Sequence, residues 1–277
     1  MTVGIVTDSS CDLSNGDLEG LDIEIVPLTV RFGSEEFFDR KQISADGFYQ
    51  KMASSEHFPQ TSTPSPGDFM EAFRRHLDKG HDAIVYISLS SKISATMQAG
   101  VQAANELEGD IRVVDSQSVS AGLGTIVLEA ARLATSGADA DEIVTSAEDA
   151  SRRTRLFGAL QTLENLKRGG RIGGAQAMLG SMLSIKPIID LSSGEVKEAG
   201  RQRTRKKALM WLCNKVKESM PVKHLSIVHG QADDVDDFHK MLAAATDDDN
   251  IKVGIIGPIV GAHAGVGVMA VTYQVVE

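Results

Sequence analysis

Short apolar runs alternate with amphipathic stretches along this chain, and the junctions between them are rich in hydroxyl side chains. Residues 3–7, 83–87 and 111–115 are brief, apolar and partly β-branched, as buried strands are. Each run gives way to a polar turn, at Asp8 and Ser9, at Ser88 to Ser94, and at Ser116 to Ser120. Helical spacing follows the turns. Phe69, Phe73 and Leu77 recur four apart, while Met97, Val101, Ala104 and Leu107 recur at three and four. Further helices are predicted over 123–134 and 139–152. Strands alternating with helices predict a doubly wound, mainly parallel α/β sheet, assigned here to a first domain over residues 1–154. Residues 23–32 are β-rich, but Pro27 makes them an edge strand or a bend. Residues 33–39 read as a turn with an exposed acidic pair, and Ser44 as the cap of a short helix to Met52. Residues 59–67, with three prolines, read as a fixed non-helical loop.

From Arg155 the pattern changes. Strands are predicted over 156–160, 225–229, 253–256 and 268–276, helices over 204–218 and 235–245. Residues 188–191 and 195–199 flank a Ser-Ser-Gly turn and read as a hairpin. A glycine-rich break at 169–174 follows a helical turn at 163–168. Strands joined by both hairpins and helices predict a smaller α+β domain over residues 155–277.

Composition narrows the class of partner. A formal net charge of −10 disfavours nucleic acid and anionic membrane as general partners. No apolar run reaches the roughly 18 residues of a membrane span. The chain opens into Val3 and Ile5 with no basic leader, so a cytoplasmic protein is expected. Two cysteines, Cys11 and Cys213, cannot build a disulfide framework, which agrees with a reducing compartment.

Candidate chemistry centres on the four serines that follow the 83–87 run. A helix N-terminus presents unpaired N–H groups and partial positive charge, so the hydroxyls of Ser88, Ser90, Ser91 and Ser94 beside one form an anion cradle. The alternative is that Ser94 caps the helix and the others are solvated loop. Three other chemistries fit the sequence less well. A serine hydrolase would use Ser94, His263 and Asp8 or Asp115, but the chain has no Gly-x-Ser-x-Gly elbow. A phosphate- or nucleotide-binding regulator would use the basic run from Arg201 to Lys207, which reads equally as a solvated helix face. A metal site is not expected, since Cys-x-x-Cys, His-Glu-x-x-His and acidic calcium-loop patterns are all missing from the sequence.

Six segments, taken in order, resemble the DegV family of bacterial fatty-acid-binding proteins. They are Asp8-Ser-Ser10, Thr61-Ser-Thr-Pro-Ser65, Ser90-Ser-Lys-Ile-Ser94, Asp115-Ser116, Gly170-Arg-Ile-Gly173 with Lys186-Pro187, and Gly257-Pro-Ile-Val-Gly-Ala-His263. The resemblance covers nearly the whole chain and implies two α/β domains with a long-chain fatty acid in a slot between them. It implies a carrier without catalysis of its own, like the acyl-carrying subunit of bacterial fatty acid kinase. Such a subunit presents a carboxylate to a separate ATP-dependent kinase, which forms the acyl phosphate, and it touches membrane surfaces only transiently. The implied ligand is the fatty acid, with no cofactor and no metal.

Mapped by position, the family's carboxylate contacts fall on Thr61 or Ser62, on Ser94 and on His263. Arg171 and Arg203 match arginines at the head group or on the kinase-docking face. The family pattern commonly has glycine after the central-loop serine, where this chain has Ala95. For the tail, Met178, Leu179, Met182 and Ile185 supply a flexible apolar surface, and methionine adapts to varied chain shape. Ordinary core packing is the competing reading of each.

Overall fold

The computed structural model describes residues 2–178 and 185–276. In chain order the elements are β1 (Val3–Asp8), α1 (Asn15–Leu18), β2 (Ile23–Val26), β3 (Thr29–Phe32), β4 (Glu35–Phe38), α2 (Ala45–Ser54), β5 (Gln60–Ser62), α3 (Pro66–Asp78), β6 (Ala83–Ser88), α4 (Thr96–Asn105) and β7 (Asp110–Asp115). They continue as α5 (Ala121–Thr135), α6 (Ala140–Arg153), β8 (Thr154–Ala159), α7 (Glu164–Arg168), β9 (Lys186–Asp190), β10 (Lys197–Gln202), α8 (Arg205–Glu218), β11 (Val222–His229), α9 (Val235–Thr246), β12 (Lys252–Ile255), α10 (Pro258–Ala264) and β13 (Met269–Val275).

The strand and helix alternation produces a four-stranded parallel sheet in the order β2-β1-β6-β7. Every residue of β1 and β6 is buried, because helices cover both faces. On one face Val6, Ile84 and Tyr86 pack against Phe69 and Phe73 of α3 and Ala103 of α4. On the other, Ile5, Val85 and Ile87 pack against Leu123, Ile126 and Val127 of α5 and Ile143 of α6. This is the doubly wound arrangement expected from the sequence.

The second sheet is the larger one, with six strands in the order β10-β9-β8-β13-β11-β12. Its pairs are antiparallel except β11 with β12. One face carries Phe157, Ala159, Ile188, Ile227, Val271 and Tyr273, packed on α8 and α9 through Leu209, Leu212, Phe238 and Leu242. The opposite face belongs to the site described below.

Some expected elements differ. Residues 23–32 form two strands in two sheets: Pro27 ends β2, and β3 joins a three-stranded antiparallel sheet in the order β4-β3-β5. Residues 33–39 are thus not a plain turn; Gly33 and Ser34 turn the chain and Glu35 to Phe38 return as β4. Residues 60–62 inside the proline-rich loop pair with β3, so that loop is tied to a sheet at its centre. Gly173 to Met178 form 3-10 turns, and Leu179, Met182 and Leu183 lie outside the described residues.

Candidate functional site

An apolar pocket, open to solvent at its mouth, lies between the carboxyl ends of the parallel sheet and the uncovered face of the second sheet. Its floor follows from strand periodicity. Leu156, Gly158 and Leu160 alternate with the helix-covered Phe157 and Ala159, so they face the other way. Ala270 lies opposite Gly158 on β13, and Ile189 opposite it on β9. Leu28, Leu89 and Val119 supply the facing wall from loops beyond β2, β6 and β7. Crevices at the carboxyl ends of parallel strands are where such sheets bind ligands.

Polar groups gather around one residue of the lining, His263. Its carrier α10 starts at Pro258, whose fixed φ suits a first helical position. Asn165 donates from its side chain to the Ala262 carbonyl at 3.2 Å, tying α10 to α7. The imidazole Nε2 lies 2.9 Å from the Thr61 hydroxyl, which β5 holds in register with Val30. Its other nitrogen, Nδ1, is buried with no hydrogen-bond partner among the described residues and rests against Gly169, where a Cβ would come within 2.2 Å. Burial, reinforced by the positive charge of Arg171, lowers the His263 pKa to about 4, so the ring is neutral near pH 7.

Arg171 is fixed by donating to the carbonyls of Ile93 at 3.2 Å and Gly169 at 2.8 Å. It therefore joins the glycine-rich break to the loop that carries Ser94. Nearby, the Arg168 guanidinium lies 4.1 Å from the Phe58 ring centre, a cation-π clasp between α7 and the segment leading into β5. Thr61, Ser62, Ser94, Arg171 and His263 all line the pocket, with Thr63 beside them. Several hydroxyls, a neutral imidazole and a guanidinium facing an apolar slot suit an amphiphile with a small anionic end.

The serine loops behave differently from the expected cradle. Ser88 donates to Leu89 O, Ser90 to Gly194 O at 2.6 Å, and Ser91 to the Asp115 carboxylate at 2.5 Å. These hydroxyls are spent on joining loops, and of the four only Ser94 lines the pocket. Ser94 also sits one residue before the helix N-cap position, held by Ala95, and accepts the Thr96 N–H at 3.2 Å. Asp8 accepts from Ser10 and from Leu89 N, and Asp115 from Ser91 and Gln117. Neither carboxylate supports His263, so the hydrolase arrangement of Ser94, His263 and an aspartate is not assembled.

Of the apolar candidates, Met178 is buried in the central core and Ile185 is half-buried, and neither lines the pocket. Leu179 and Met182 lie outside the described residues. Arg203 is exposed, away from the pocket lining. The basic run around it is partly neutralised, since Arg201 pairs with Glu198 and Arg205 with Asp234. What the sequence reading missed is the sheet floor, above all the small pair Gly158 and Ala270. The available signal was the two-residue alternation through Leu156, Gly158 and Leu160.

The family model described as "Uncharacterised protein, DegV family" matches residues 2–275. A DegV domain-containing protein of Listeria monocytogenes is 34% identical over 274 residues, 98% of each chain. A Thermus thermophilus structure described as fatty acid binding of a DegV family protein superposes with a TM-score of 0.91 at 32% identity, covering 100% of both chains. The Bacillus subtilis structure described as DegV, a fatty acid binding protein, gives 0.88 at 26% identity with the same coverage. With a family match over nearly its whole length and a relative of this identity, the chain belongs to the DegV family.

Proposed function

We propose that this protein binds one long-chain fatty acid in the pocket and presents its carboxylate, at the His263 end, to a separate ATP-dependent kinase that forms the acyl phosphate. The observation that carries the reading is the amphipathic pocket itself: a sheet-floored apolar slot whose polar groups converge on His263. About 15 methylenes at ~0.8 kcal/mol each represent on the order of 12 kcal/mol of gross burial, enough for tight binding after the cost of association. The carboxylate needs charge-assisted hydrogen bonds to leave water, each worth about 1.5–3 kcal/mol, and Ser94, Thr61, Ser62, His263 and Arg171 supply donors. The Thermus and Bacillus relatives, described as fatty acid binding, support the same ligand class.

In this reading the protein is a carrier that works in the cytoplasm beside its kinase, and residues 1–154 and 155–277 form the two domains that enclose the acid. Both cysteines are free and buried, in keeping with that compartment. Among the described residues, no helix is long and apolar enough to cross a membrane. Uptake of a fluorescent fatty acid, displaced by unlabelled stearate, tests the binding step. A protein that takes up none after delipidation would end the proposal.

A further inference from the structure

A second cluster lies at the other end of the parallel sheet, outside the fatty-acid pocket. Asp22 precedes β2, His81 precedes β6, and His76 sits in the last turn of α3. Topology alone brings them together, because β2 and β6 flank β1 and α3 crosses over that face.

His76 is 1% exposed, and its Nε2 lies 3.2 Å from the carbonyl oxygen of Ile5. A carbonyl can only accept, so Nε2 carries the hydrogen and Nδ1 keeps a lone pair. That Nδ1 is buried without a hydrogen-bond partner and points at Asp22, with Oδ2 at 3.7 Å. His81 Nε2 lies 3.0 Å from the same oxygen. One donor atom from each of the three residues falls within 4.8 Å of the others. The imidazole of His76 also occupies space that only glycine leaves open, since a Cβ on Gly4 would come within 2.6 Å of its ring.

A buried imidazole held by a backbone carbonyl through one nitrogen, with the other nitrogen unpartnered beside a carboxylate and a second histidine, has the support that metal-ligating histidines have. We propose that His76 Nδ1, His81 Nε2 and Asp22 Oδ2 bind a divalent transition metal ion of the zinc class, with water completing the coordination. Two imidazoles and one carboxylate suit zinc or nickel and disfavour calcium and magnesium, which take oxygen ligands. Lys79 opposes the ion: its ammonium lies 2.6 Å from Asp22 Oδ1. The Lys79 side chain is 51% exposed and free to swing away. A bound ion would pin the end of α3 to the starts of β2 and β6, a structural role remote from the lipid. A search by familiar spacing passes over this site, because its acid and its two histidines come from three separate elements.

The test uses the full chain, stripped with a chelator and titrated with zinc chloride against a chromophoric competitor. Cobalt absorption then reports coordination geometry. One equivalent of zinc is expected, at least tenfold weaker in His81→Ala and in Asp22→Asn, in line with the usual cost of losing a ligand or its support. Lys79→Met removes the competing cation and is expected to tighten zinc binding, which gives a readout should the other two variants fold poorly. Zinc should raise the melting temperature of the wild type but not of His81→Ala, and fatty-acid affinity should be unchanged in both. Stoichiometric zinc that binds equally well to all the variants, or no stoichiometric zinc at all, would overturn the site.

Discussion

The buried imidazole of His263 is met on one side by the Thr61 hydroxyl and on the other by the backbone of Gly169, and burial, with the charge of Arg171 adding to it, holds it neutral. Removing a hydrogen-bond donor from a buried carboxylate costs ~1–3 kcal/mol, so Ser94→Ala and His263→Ala are each expected to weaken fatty-acid binding about 10- to 100-fold. The double variant should be less than additive, because both groups serve one anion. Gly169→Ala is expected to match His263→Ala without touching the imidazole's chemistry, since its methyl would displace the ring from Thr61. Titration with a fluorescent fatty acid reads all four proteins. Unchanged affinity in both single variants would remove His263 and Ser94 from the head-group site. Asp12 gives a separate test at this scale. Burial, only partly offset by hydrogen bonds from Ser120 and the Gly257 N–H, raises its pKa to about 8, with Asp39 nearby adding to the rise. The folded protein therefore holds a proton that the unfolded chain has lost, and the stability this contributes falls away as pH rises from about 4 to about 8. Asp12→Asn cannot lose that proton. It should flatten the decline by up to about 1.4 kcal/mol per pH unit in urea melts between pH 5 and pH 7. Equal slopes in the two proteins would contradict it. None of this was legible in the sequence, where Asp12 reads as a turn residue. Its hydrogen-bond donors, Ser120 and Gly257, are both far along the chain.

At the scale of elements, most of the fold was readable because periodicity and burial coincide: β1, β6 and α3 carry one consistent pattern each. The exceptions share a cause. β4, β5 and α10 are short and owe their form to the elements they pair or pack with rather than to a pattern of their own, β3 for the strands and α2 and α7 for the helix. The pocket floor was hidden for a related reason. Which face of β8 is left bare depends on where α8 and α9 pack, not on β8 itself. In the proposed function that bare face would set the tail space. A Cβ on Gly158 would meet Ile189 at 3.5 Å and Ala270 at 3.8 Å, ordinary contact distances. Gly158→Ala should therefore fold and bind nearly as the wild type does. Gly158→Leu would project several carbons into the slot, and is expected to reduce affinity for an 18-carbon acid at least tenfold, a loss of ~1.4 kcal/mol or more. If Gly158→Leu, with an unchanged melting temperature, binds such an acid normally, the tail does not run over this part of the sheet.

Across the whole molecule, the proposed carrier role would ask different things of the polar end of the pocket and of the exposed Arg203. Docking through surface charge acts mainly on encounter and register. Arg203→Glu is therefore expected to leave fatty-acid affinity within about twofold of wild type while cutting acyl-phosphate formation with a cognate kinase at least tenfold, ~1.4 kcal/mol. Normal turnover by that variant at moderate salt would leave the basic run as a solvated helix face. The measurement that bears most directly on the carrier role is native mass spectrometry of the purified protein, followed by denaturing extraction of whatever it carries. The expected result is a mass excess of one long-chain fatty acid per chain, released on unfolding and restored by adding the acid back. Repeated preparations with no lipid, and no uptake of added fatty acid by the folded protein, would contradict it.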